Sequence, residues 1–296
     1  MDKRMTLSGL LVSEAMRRQV IHLPQNTSID KGINSLIKYK VNALLATDEN
    51  NLPAGVVSKT DIMGAYYACL PLGTPLDNIM SSPPLFCRPK DSLESALAKM
   101  RSNGIYRLYV TGENPEKIVG ALAYPDIVGL LYRFCYDCEY SHRSRKRKKQ
   151  ADASIRRYKV KEVMTTSVQA CLQDDSLMQI MEELSKYRFG AILITDEKHV
   201  PCGVVSKTDL AVSYKHGVDF QTAAETIMSS PVRSCDQDEY LEDAIHKMIF
   251  ADVHRLFVHK NDPQNIVGVL SLSDAARIRS GSCHACVSSR IKVDDH

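Results

Sequence analysis

The sequence predicts an α/β (α+β) protein of four small units, each a three-stranded sheet with two flanking helices, paired into two modules. Three observations predict it. Gly55-Val-Val-Ser-Lys-Thr-Asp61 recurs unchanged as Gly203-Val-Val-Ser-Lys-Thr-Asp209, at an offset of 148 residues. The same offset carries Met80-Ser-Ser-Pro83 onto Met228-Ser-Ser-Pro231, Cys87 onto Cys235, Met100 onto Met248, Arg107-Leu108 onto Arg255-Leu256 and Gly120 onto Gly268. Within each half, a Gly-apolar-apolar segment recurs 65 residues later, from Gly55 to Gly120 and from Gly203 to Gly268. Self-similarity at a fixed spacing marks a copied structural unit, here four units of about 60 residues.

Each unit reads in the same order. A short segment opens it, as in Val163-Met164. A polar turn follows, Pro89-Lys-Asp-Ser92 or Gln173-Asp-Asp-Ser176. Next comes an amphipathic helix. In Ser92–Ser102 the residues Leu93, Ala96, Leu97 and Met100 fall at helical spacing, and Ser92 is placed to cap. Two short apolar strands follow, Arg107–Val110 and Ile118–Leu122, around a turn containing Gly112 and Pro115. A last helix, Tyr124–Phe134, closes the unit. The expected division is a first module over 1–136, with repeats at about 11–68 and 76–134, and a basic linker over 137–157. A second module follows over 158–281, with repeats at about 158–216 and 222–281, and a tail over 282–296.

The composition is that of a soluble globular protein. The 296 residues are 44% hydrophobic, enough for real cores. The apolar runs Ala43–Ala46 and Ile127–Leu131 are far shorter than the roughly 20 residues a membrane span needs. Met1-Asp-Lys-Arg-Met-Thr-Leu lacks the apolar core and cleavage site of a secretion signal. Nine cysteines are unevenly scattered, unlike a secreted disulfide framework, so the expected location is cytoplasmic. The net charge of +3 hides an asymmetry: Arg143–Lys159 carries nine Lys/Arg and one Asp, leaving the rest of the chain at −5.

The order strand-helix-strand-strand-helix, four times over, resembles the CBS domain, which works in side-by-side pairs called Bateman modules. The resemblance covers roughly residues 11–281. It implies binding of an adenosine nucleotide (AMP, ADP or ATP) or S-adenosylmethionine through Gly-h-h-[Ser/Thr]-x-x-Asp at the strand-to-helix junction, the hydroxyl and carboxylate holding the ribose. Three repeats match: Gly55, Ser58 and Asp61; Gly203, Ser206 and Asp209; Gly268, Ser271 and Asp274. Thr60 and Thr208 stand beside the first two acids. The second repeat departs, with Ala123 in place of the hydroxyl ahead of Asp126. A carboxylate accepts from both ribose hydroxyls, and charged acceptors make stronger bonds. A helix N-terminus favours an anion, and glycine lets a ligand approach the backbone. The same Ser-x-x-Asp also reads as a capping box that stabilises the helix with no ligand.

The resemblance implies phosphate partners in a His-Arg-Leu segment, matched by Tyr106-Arg107-Leu108 and His254-Arg255-Leu256 in the even repeats; the odd repeats have Asn42-Ala43 and Gly190-Ala191. Arginine suits phosphate because its planar fork makes two parallel bonds. His254 reads as a neutral packing or rim residue.

Two further features stand outside the resemblance. Cys135-Tyr-Asp-Cys138 and Cys283-His-Ala-Cys286 are again offset by 148. Together Cys135, Cys138, Cys283 and Cys286 make a tetrathiolate suited to Zn or an Fe-S cluster, with His142 and His284 as substitutes; redox dithiols and inert copied thiols are the other readings. Cys69, Cys87, Cys171, Cys202 and Cys235 read as small buried residues. The run Arg143–Lys149 suits nucleic acid phosphates, but no aromatic residue interleaves with it, which favours a solvated linker.

No phosphate-binding Gly-rich loop, nucleophile elbow or His-Glu-x-x-His is present, so no enzyme is expected. The expectation is a regulatory ligand sensor that signals to a separate protein, with no membrane partner. The modules would close on each other within one chain or in a homodimer. A metal- or redox-responsive scaffold and a nucleic-acid-binding regulator are the alternatives.

Overall fold

The computed structural model describes residues 9–114, 116–137 and 158–279. The first unit contains β1 (His22–Pro24), α2 (Ile29–Lys38), β2 (Ala43–Thr47), β3 (Pro53–Ser58) and α3 (Lys59–Tyr67), after a short α1 (Val12–Ala15). The second contains β4 (Phe86–Cys87), α4 (Leu93–Ser102), β5 (Arg107–Thr111), β6 (Ile118–Ala123) and α5 (Tyr124–Asp137). The third contains β7 (Ala170–Leu172), α6 (Leu177–Lys186), β8 (Ala191–Thr195), β9 (Pro201–Ser206) and α7 (Lys207–Lys215). The fourth contains β10 (Ser234–Asp236), α8 (Leu241–Phe250), β11 (Arg255–Lys260), β12 (Asp262–Ser271) and α9 (Leu272–Arg279). The four sheets share one topology, with the middle strand parallel to the first and antiparallel to the third.

The helices form where apolar residues recur at three and four. Ile29, Ile33 and Leu36 of α2 are buried, as are Leu177, Ile180, Met181 and Leu184 of α6. Ser92 Oγ accepts from Ser95 N at 3.1 Å and caps α4 as its position predicts. The second unit's last helix runs on to Asp137, past the expected end at Phe134. In the fourth unit β12 begins at Asp262, so the polar turn expected before it shrinks to a tight hairpin.

Within each module the repeats exchange their opening segments. Val12 N donates to Asp91 O and Leu93 N to Leu10 O, each at 2.9 Å, so the chain before the first repeat lies on the second. Leu76 N donates to Thr27 O at 2.8 Å, so the chain before the second repeat lies on the first. The second module repeats both exchanges, Val160 with Glu239 and Ala224 with Asp175. Each exchanged segment ends as a backbone bridge on a third strand: Arg17 to Ala121, Ser81 to Val56, Thr165 to Val269 and Ser229 to Val204.

The methionine before each bridge explains the repeated glycines. A Cβ on Gly55 would lie 2.4 Å from Met80 Sδ, one on Gly203 2.7 Å from Met228 Sδ, and one on Gly268 2.5 Å from Met164 Sδ. On Gly120 it would lie 2.7 Å from Arg17 O. Close ligand approach was the expected reason for these glycines; the fold itself also requires them, because methionine and backbone atoms fill the space a Cβ would take.

The two modules close on each other within one chain. One core joins the first and third units, with Ile33, Leu36 and Ile62 against Ile180, Leu184 and Leu210. The other joins the second and fourth, with Leu93, Met100 and Ile127 against Leu241, Met248 and Ala275. Between α3 and α7, Tyr66 and Tyr214 stack at 5.0 Å between ring centroids. Tyr66 Oη donates across to Val218 O at 2.6 Å, and Tyr214 Oη donates back to Leu70 O.

Cys87, Cys171 and Cys235 are buried as expected, and burial pushes their thiols up to about 11, 12 and 12. Cys69 corrects the expectation: it is exposed. It follows α3 with φ 53°, where the third unit has Gly217 with φ 67°, so it ends a helix at the surface. Cys202 is half-buried, its Sγ set against Val200 O at 3.3 Å.

Candidate functional site

The site is built from strand-to-helix junctions. Ser58 ends β3 in extended conformation and caps α3. Asp61 Oδ2 accepts from Ser58 N and Ser58 Oγ, each at 2.7 Å. Asp209 Oδ2 accepts from Ser206 N at 2.8 Å and Ser206 Oγ at 2.6 Å. Asp274 Oδ2 accepts from Ser271 N at 2.9 Å and Ser271 Oγ at 2.5 Å. The Ser-x-x-Asp motif therefore forms a capping box in these three repeats. One oxygen of each acid serves the cap. The other oxygen of Asp61 meets Ser81 Oγ at 3.5 Å, and that of Asp209 meets Ser229 Oγ at 3.4 Å. Such long bonds are weak, and a ligand hydroxyl can displace them.

The second repeat differs. Asp126 Oδ2 accepts from Ala123 N at 2.9 Å, but Oδ1 is paired with the Arg17 guanidinium. Only 6% of the Asp126 side chain is exposed. Burial pushes its carboxyl up, opposed by the Arg17 charge.

Opposite the acids, cations gather where the modules meet. Arg107 Nη1 donates to Ala43 O at 2.8 Å and Arg255 Nη1 donates to Ala191 O, so each even repeat's arginine spans its own module. Arg255 Nε is buried without a hydrogen-bond partner, leaving its fork partly unused. Burial lowers its pKa.

Two cations were not anticipated. Lys59 and Lys207 are the first residues of α3 and α7, inside the repeated Ser-Lys-Thr-Asp. Lys59 Nζ donates to Thr208 Oγ1 at 2.8 Å and Lys207 Nζ to Thr60 Oγ1 at 2.9 Å, so each crosses to the other module. Thr60 and Thr208, candidates for ligand contact beside the two acids, hold these lysines. Burial lowers the Lys59 pKa, against the Asp209 and Asp252 charges. Burial and the Arg255 charge bring Lys207 down to about 8, against the Asp61 charge. The sequence signal was the lysine kept at one position in two repeats.

His254 also lies at the junction, its Nδ1 3.0 Å from Asn42 Nδ2 of the other module. Desolvation and the Lys59 charge lower its pKa, against the Asp252 charge, which favours the neutral imidazole. Beside it Lys40 and Asp252, with φ 50° and 53°, form an ion pair at 2.6 Å. The equivalent second-to-third side has Gly190 in place of Asn42 and Tyr106, 58% exposed, in place of His254.

Among the described residues no group of three or more His, Cys, Asp or Glu is placed to hold a metal ion. Cys138, Cys283 and Cys286 lie outside the described residues, as does the basic run Arg143–Lys149, and of Cys135 only the backbone is described, within α5. No helix among the described residues is long and apolar enough to cross a membrane.

Known proteins resemble this chain in sequence and in fold. Protein MJ1225 of Methanocaldococcus jannaschii is 24% identical over 200 residues, 67% of this chain and 68% of that protein. Its crystal structure superposes with a TM-score of 0.73 at 13% identity, covering 90% of this chain and 99% of that one, which shows a common fold. The CBS domain-containing protein YhcV of Bacillus subtilis is 30% identical over 118 residues, 40% of this chain and 82% of that protein. The CBS domain protein PAE2072 of Pyrobaculum aerophilum, solved in complex with AMP, is 28% identical over 43% of this chain and 99% of its own, with a TM-score of 0.39. Residues 12–68, 76–133, 160–215 and 224–281 each match the CBS domain, and the chain belongs to that family with four copies.

Proposed function

We propose that the protein is a cytoplasmic regulator, not a catalyst, that takes adenosine-type nucleotides at the junctions around Asp61, Asp209 and Asp274. The supporting observation is the pairing of a ribose-type acceptor in one module with a half-buried cation from the other. The carboxylate of Asp209 acts on Lys59, and that of Asp61 on Lys207. A nucleotide offers two hydroxyls at one end and an anion at the other. The ribose replaces the weak Ser81 and Ser229 contacts on the second carboxylate oxygen. The phosphate goes to the lysines and to the unused part of the Arg255 fork.

The linkage to a partner follows from the same geometry. Lys59, Lys207 and Arg255 lie where the modules meet, so a phosphate there favours one relative placement of the modules over another. A ligand shifts such an equilibrium by its differential affinity for the two states. A separate protein that docks on one placement reads the shift.

Competition between a fluorescent AMP analogue and unlabelled AMP tests the reading. Displacement from the parent, with loss of analogue binding in a folded Asp209→Ala variant, supports it. Equal binding by that variant removes the ribose role from Asp209.

A further inference from the structure

The four bridges between exchanged segments and third strands are equivalent, each joining the residue after the methionine to the residue after the glycine. The side chain at that position reaches a junction acid in three of them, from Ser81 to Asp61, from Ser229 to Asp209 and from Arg17 to Asp126. In three repeats it is a small hydroxyl: Ser81, Thr165 and Ser229. In the second it is Arg17, whose guanidinium is paired with Asp126 Oδ1, the oxygen equivalent to those that face Ser81 and Ser229. The same repeat also lacks the cap hydroxyl, with Ala123 where the others have Ser58, Ser206 and Ser271.

From this we infer that Arg17 is a built-in occupant that closes the second repeat's junction to nucleotide and so sets which clefts respond. The inference rests on the function proposed above. Its physical basis is competition for one acceptor. A ribose hydroxyl has to displace a charge-assisted bond at Asp126, but only a long, neutral serine contact at Asp61 or Asp209. Displacing Arg17 would also strand the Asp126 carboxylate, whose side chain is 6% exposed, and an unpaired buried charge is costly. Asp126 is thus retained as the counter-ion of Arg17. The exchanged segment it anchors belongs to the chain before the first repeat, so the lock also fastens that segment to the second.

The test is the number of AMP molecules bound at saturation, measured by equilibrium dialysis on the full chain. The parent, Ala123→Ser alone, Asp126→Asn and the double variant Arg17→Ser with Ala123→Ser are compared, each shown folded by its melting transition. The inference expects Asp126→Asn and Ala123→Ser to bind as many AMP as the parent, and the double variant to bind one more. A lower number in Asp126→Asn would show the junction occupied in the parent and overturn the inference. So would a folded double variant with an unchanged number. A parent that binds none of AMP, ATP and S-adenosylmethionine overturns the underlying function, which separates the two failures.

Discussion

Lys59 and Lys207 exchange threonines across the junction of the modules: each is the first residue of its helix, and each donates to the threonine that follows the other, at 2.8 and 2.9 Å. Each cation is thus held against the other module, with its pKa lowered by burial. Partly burying two cations costs free energy, which a bound anion would offset.

Lys207→Met is therefore expected to raise the melting temperature of ligand-free protein at pH 7 while weakening ATP more than adenosine. Calorimetry and titration with both ligands check this. A variant with a lower melting temperature and unchanged ATP affinity would show the lysine to be structural.

The same group gives a pH dependence with a definite sign. Lys207 is lowered from 10.5 to about 8, so between those values the unfolded chain holds the proton more tightly than the folded one. Stability of the ligand-free protein then rises with pH across that window, and the gap between Lys207→Met and the parent narrows. A phosphate beside Lys207 favours its charged form, so AMP affinity falls as pH rises above about 8. Urea unfolding and titration at pH 7, 8 and 9 measure both.

Much of the fold was legible because it is copied. The 148-residue offset and the helical spacing of Leu93, Ala96, Leu97 and Met100 located the units and a core-facing helix. The exchange of opening segments was not legible, because Val12 with Asp91 and Leu76 with Thr27 are contacts between distant residues with no mark in local pattern. The docking of modules was equally hidden: a duplication says that two halves are alike, not which faces meet. At the site, the Ser and Asp positions could be read but their division of labour could not. Only the geometry shows one oxygen of each acid committed to the helix cap. Arg17 was invisible as a partner of Asp126, since 109 residues separate them.

The packing account of glycine makes its own prediction. Gly55→Ala places a Cβ 2.4 Å from Met80 Sδ, so it should cost about 1–3 kcal/mol by overpacking. Combining it with Met80→Ala should cost less than the sum of the two single changes, since the added methyl then has room. A denaturant-unfolding cycle on the four proteins reads the coupling; strict additivity would contradict the contact.

The tyrosine stack predicts how firmly the modules are held. Tyr66→Phe and Tyr214→Phe each remove one hydrogen bond to a backbone carbonyl across the junction, a loss of about 1 kcal/mol apiece. Because each stranded carbonyl belongs to the other module, the double variant should expose the junction to faster amide exchange at Val218 to Gln221 and near Leu70. Unchanged exchange there would place the modules' cohesion elsewhere.

The central claim is that the Ser-x-x-Asp junctions bind nucleotide as well as cap helices. Calorimetric titration of nucleotide-stripped protein with AMP, ATP and S-adenosylmethionine, beside the Asp61→Asn, Asp209→Asn and Asp274→Asn triple variant, tests it most directly. Asparagine keeps an acceptor for the cap and removes the charge that strengthens a ribose bond. The account predicts binding of at least one of these ligands by the parent and its loss, by about tenfold or more, in a variant that still melts cooperatively. Equal binding by both proteins, or none by a folded parent, would contradict it and leave the motif as a helix cap.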